Sequence, residues 1–227
     1  MEPIPPLPPL ENLATEAGEL SGTPVVIAVF FCAILLVAAR DWRAVLAAFM
    51  VLYLSATVLT LQLLQPQWAL LRVIVGGLVA IMWFLSAQRA GWGGRFLPFR
   101  HQAGVHARPL SSTTAFRTLM ALTLAAVLLV TRPNLPLPLV PPEVRLVVIW
   151  LAAFALLQLA LGDEALQVGV ALLMWLVGTQ LLMSALQLDP WLIWLLSTVE
   201  LLIGLAVAYL MVARGPAPGP STQEESG

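Results

Sequence analysis

The chain has 227 residues, of which 60% are apolar and 10% charged, and its formal net charge is −1. Soluble domains carry roughly a quarter charged residues, so this composition excludes an ordinary water-soluble domain and calls for a second, apolar solvent. The near-neutral charge also excludes a general electrostatic pull toward nucleic acid, and a mean hydropathy of +0.92 suits a lipid bilayer.

Residues 1–22 hold Glu2, Glu11, Glu16 and Glu19 among several prolines, with no Arg or Lys. A secretory signal needs a positive region ahead of its apolar stretch, so this segment reads as an acidic, proline-rich tail. Seven continuous apolar runs follow, at 24–39, 44–64, 68–87, 116–131, 144–161, 165–187 and 191–213. Continuous runs exclude a transmembrane barrel, whose strands alternate apolar and polar positions. Lipid offers free backbone groups no hydrogen-bond partner, which leaves helices. The expected fold is all-α, a polytopic transmembrane bundle of about seven helices over 23–214, with 215–227 as a disordered tail. Most runs approach the roughly 20 residues needed to cross the hydrocarbon core. The first and fourth, at about 16 residues, need flanking residues or local thinning.

Breaks between runs are charged or proline-bearing: Arg40-Asp41-Trp42-Arg43, Gln65-Pro66-Gln67, the proline-rich link 133–142 and Leu188-Asp189-Pro190. The longest polar interval is 88–115. All eleven basic residues are Arg, and their placement sets the orientation. With the N-terminus outside, Arg40, Arg43, Arg89, Arg95, Arg100, Arg108, Arg117 and Arg214 fall on the cytoplasmic side. Arg132 and Arg145 fall outside, with Arg72 inside helix three and expected to snorkel to the headgroups. The C-terminus is then cytoplasmic. Trp42, Trp68, Trp92 and Trp191 stand near helix ends, where amphipathic rings prefer the interface.

A charge at the bilayer centre costs roughly 2.5–3.5 kcal/mol on insertion scales, so Glu200, near the middle of the last helix, needs a reason. Ser197 precedes it by about a turn and Gly204 follows by one, marking a face suited to helix contact. Two readings stand: a proton-handling carboxyl, or one hydrogen-bonded inside the bundle without turnover. Gln180 and Ser184 in helix six and Gln158 in helix five are further polar candidates, able to bond across helices. Gly76 and Gly77, a turn below Arg72, would accept a close neighbour. Cys32 lies in an apolar run and reads as a small hydrophobe. The interval 88–115 is basic and aromatic, fitting either contact with anionic headgroups or a docking site for a cytoplasmic partner. His101 and His106 lack nearby Cys, Asp or Glu and make a poor metal site. No phosphate loop, nucleophile elbow, zinc signature or cysteine cluster occurs. Catalytic, cofactor and metal residues are therefore all expected to be none.

The charged turn after helix one, the segment 175–186 (WLVGTQLLMSAL), the Leu188-Asp189-Pro190 turn and Ser197-Thr198-Val199-Glu200 ahead of Arg214 together resemble one known family. It is the seven-helix membrane subunit of group 4 (formate-hydrogenlyase-type) hydrogenases, a relative of the small K-type membrane subunit of respiratory complex I. The resemblance covers about 24–214. It implies a subunit without a redox centre, in a membrane arm that couples electron transfer to ion movement, with other membrane subunits as partners. Where that family carries a membrane-embedded Glu in helix six, this chain has Gln180, which transfers the proton role to Glu200 or removes it. The expectation is a non-catalytic inner-membrane subunit of a complex I-like, hydrogenase-like or proton-antiporter-like assembly. The alternatives are an independent small transporter or channel and a scaffold or assembly protein without an ion pathway.

Overall fold

A backbone in hydrocarbon has to close its own hydrogen bonds, and residues whose side chains all suit lipid leave the α-helix as the local solution. The computed structural model describes residues 23–39, 41–63, 66–90, 112–131, 133, 140–186 and 190–213. Among them are seven helices: α1 (Thr23–Ala38), α2 (Trp42–Leu63), α3 (Pro66–Arg89), α4 (Ser112–Thr131), α5 (Pro142–Leu161), α6 (Ala165–Ala185) and α7 (Pro190–Ala213). The described residues contain no strand.

The helix starts follow local chemistry. Three of them, α3, α5 and α7, open on a proline, whose missing N–H is not needed in the first turn. For α2 the start is Asp41, whose Oδ1 accepts from the Arg43 N–H at 3.3 Å, an N-cap contact. Trp42 and Arg43 thus belong to the helix and not to the preceding turn, and the Arg43 guanidinium lies over the Trp42 ring at 5.2 Å. The fourth helix is not short. Its first turn recruits Ser112, Thr113 and Thr114, so it has 20 residues. Polarity had marked those residues as loop, but hydroxyl side chains are tolerated at a helix start. The third helix likewise continues through Gln88 to Arg89. Only α1 remains short, at 16 residues, about 24 Å of rise.

Among the described residues, six helices are long and apolar enough to cross a membrane. Large apolar side chains are exposed along them, including Leu119, Leu129, Val130, Leu195 and Leu202. Water-soluble monomers rarely tolerate such surface. The chain is a multi-pass integral membrane protein built as a helical bundle.

Each neighbouring pair α1–α2, α2–α3, α3–α7, α7–α6, α6–α5 and α5–α1 is in contact, which closes a ring of six helices. Contact between α2 and α6 crosses that ring and divides it into two four-helix halves. One half joins α1, α2, α5 and α6, and Phe30 stacks there on Trp150 with centroids 4.0 Å apart. The other joins α2, α3, α6 and α7. Outside the ring, α4 rests on α1 and α5, with Ala121 and Ala125 facing inward.

The links before and after α4 leave from its opposite ends. Cysteine labelling at Gly94 and at Asn134, both outside the described residues, is expected to report opposite faces of the membrane. Labelling of both from one face would refute the crossing of α4.

Candidate functional site

The polar content of the bundle gathers in two places. The larger lies in the half made by α2, α3, α6 and α7. Arg72 stands six residues into α3, about 9 Å from its start, and Glu200 ten residues into α7, about 15 Å from its start. Both helices begin at the same end of the bundle, since two helices precede the α2–α3 turn and six precede the α6–α7 turn, both even numbers of crossings. The two charges therefore lie at comparable depth, and both are buried: Arg72 is 4% exposed and Glu200 0%.

Arg72 does not snorkel. Its Nη1 donates to Thr60 Oγ1 of α2 at 2.9 Å and its Nη2 to the Val177 carbonyl of α6 at 3.1 Å. The expectation of a headgroup contact fails because the guanidinium is buried on those two acceptors, with the carboxyl of Glu200 as an electrostatic neighbour. Burial of an ionised guanidinium in hydrocarbon requires such compensation.

Tyr53 of α2 and Gln180 of α6 stand beside the Glu200 carboxyl. Neither contact reaches hydrogen-bond geometry. Glu200 Oε1 and Oε2, Tyr53 Oη, Gln180 Nε2 and Arg72 Nε are all buried without a protein partner. The Tyr53 ring is seated against Gly76 of α3, where a Cβ would run into it. It also packs on Phe49 at 4.8 Å and lies 5.9 Å from the Arg72 guanidinium. Below this layer, Trp83 of α3 is fully buried and donates Nε1–H to the Gly204 carbonyl at 2.9 Å. Gly204 makes that approach possible, because a Cβ there would meet Val79 Cγ2 at 2.8 Å. Gly77, by contrast, faces open space.

Of the residues singled out from sequence, Glu200 and Gln180 come together. Ser197 is buried a turn before Glu200. Ser184 is buried as well, but its hydroxyl donates to the Gln180 carbonyl of its own helix at 2.7 Å, so it does not bridge helices. Gln158 belongs elsewhere. It joins the second polar group, where Arg117 of α4 donates from Nη1 to Gln167 Oε1 at 2.9 Å and from Nη2 to Gln158 Oε1 at 3.3 Å. Gln158 lies near the end of α5, Gln167 near the start of α6 and Arg117 near the start of α4. This group therefore occupies the end of the bundle opposite the α6–α7 turn. Its three members are each at most 5% exposed.

Sequence reading missed Tyr53, Thr60 and Gln167, and it misplaced Arg72. One signal was present: counted from helix starts on the same side, Arg72 and Glu200 differ in depth by only about 6 Å, within reach of an arginine side chain. Tyr53 and Thr60 carried none, since their importance comes from α3 and α7 packing beside them. His101 and His106 lie outside the described residues. No protein-family model, curated protein or solved structure matches this chain.

Proposed function

We propose that this multi-pass membrane protein is a non-catalytic subunit of a complex I-like, hydrogenase-like or proton-antiporter-like assembly, with the Arg72–Glu200 centre as its proton-handling group. The observation that carries the reading is a fully buried carboxyl, turned toward three other helices and beside a buried guanidinium. Ionisable groups this deep are costly and mark ion or proton paths by default. The resemblance around 175–200 supports the assembly, and Gln180 leaves Glu200 as the single acid of the centre.

In this reading the N-terminus is outside and the C-terminus cytoplasmic, in a cell (inner) membrane. The two buried arginines drop out of the charge count, because neither faces a headgroup. That leaves seven cytoplasmic arginines against two outside, and the bias is undiminished.

Purification in mild detergent is expected to bring down other membrane subunits. A clean monomer, under conditions that preserve known membrane complexes, would refute the subunit reading. It would favour a stand-alone small transporter.

A further inference from the structure

The partner count at Glu200 goes beyond the existence of a buried acid. Five buried atoms there have no protein partner: Glu200 Oε1 and Oε2, Tyr53 Oη, Gln180 Nε2 and Arg72 Nε. A carboxylate offers only acceptors, whereas a phenol hydroxyl and an amide nitrogen both donate. The tally is two acceptors on α7 and three donors, one each on α2, α3 and α6. Groups of this kind left unmade in hydrocarbon are heavily penalised. Both terminal nitrogens of Arg72 already donate to Thr60 and Val177, and its Nε–H is the charged donor of the three.

Resting on the proton-handling reading above, we propose that Tyr53 and Gln180 are the positioning residues of Glu200, one donor for each carboxyl oxygen. The Tyr53 hydroxyl cannot wander far. Its ring is held by Gly76 on one side and by Phe49 on another, and Tyr53 is itself 2% exposed. Gln180 supplies from α6 what a second acid could not. An ionised carboxylate at that position would set acceptor against acceptor and add a like charge. The centre is thus built for one acid with two neutral donors and a nearby cation.

Infrared difference spectroscopy on the purified full-length chain in lipid tests this assignment. The band of Glu200, protonated or ionised, is identified by its loss in Glu200→Gln. Tyr53→Phe keeps the ring on Gly76 and removes only the hydroxyl. Gln180→Leu keeps the bulk and removes the amide. Each is expected to displace the Glu200 band while helical content stays at the wild-type level. A merely structural role for either residue would not move that band. A band left at its wild-type position in either variant overturns the assignment. The measurement needs no partner subunit and no ion coupling, so the proton-handling reading can fail while the bands still move.

Discussion

Arg72→Met is expected to destabilise the bundle by about 3–5 kcal/mol, the usual cost of leaving one member of a buried charge pair alone. The same change combined with Glu200→Leu is expected to cost far less. Arg72 loses two hydrogen bonds in either case, and Thr60 and Val177 keep partners within their own helices. What differs is Glu200. With the guanidinium gone, the carboxyl sits in hydrocarbon beside Tyr53 and Gln180 alone. With both charges gone, apolar side chains of similar length fill the space, a replacement that is often neutral or stabilising in other buried pairs. Reversible unfolding of purified chain in mixed micelles would compare the three variants. A double variant as unstable as Arg72→Met would show that the two residues are not energetically coupled.

The second large effect concerns Glu200 itself. Glu200→Gln keeps the shape and hydrogen-bonding capacity while removing the exchangeable proton, and Glu200→Leu removes both. In the proton-handling reading, Glu200→Gln assembles normally yet loses most of the ion coupling, and Glu200→Leu is at least as damaging. If Glu200 is instead structural, Glu200→Gln behaves as wild type in both respects, while Glu200→Leu impairs assembly. Coupling measured as proton uptake in reconstituted vesicles, alongside recovery of the complex, separates these outcomes. Wild-type behaviour of both variants would exclude both roles.

Most of the architecture was legible because hydrocarbon imposes it. Runs such as 165–187 have one solution in lipid, and each of the seven appears as a helix. Helix ends were less legible. Ser112, Thr113 and Thr114 look like loop by polarity, yet their hydroxyls suit a first helical turn. Depth along a helix was readable for Glu200 and Gln180, which need only a residue count. Tertiary pairing was not. Gln158 and Gln180 look alike in sequence, and which arginine each helix faces depends on the ring order α1-α2-α3-α7-α6-α5 and on where α4 rests outside it. The same order explains Arg72. Its depth suggested a reachable headgroup, but α2 and α6 close over it from either side.

Chain order gives the Arg72 contacts a temporal dimension. Thr60 precedes Arg72 by 12 residues, whereas Val177 follows it by 105. At ribosomal speeds of about 5–20 residues per second, the Val177 codon is read roughly 5–20 s after that of Arg72. Throughout that interval the Thr60 hydroxyl is the one of the two native hydrogen-bond acceptors of Arg72 that has been synthesised, and the helix that completes its burial has not.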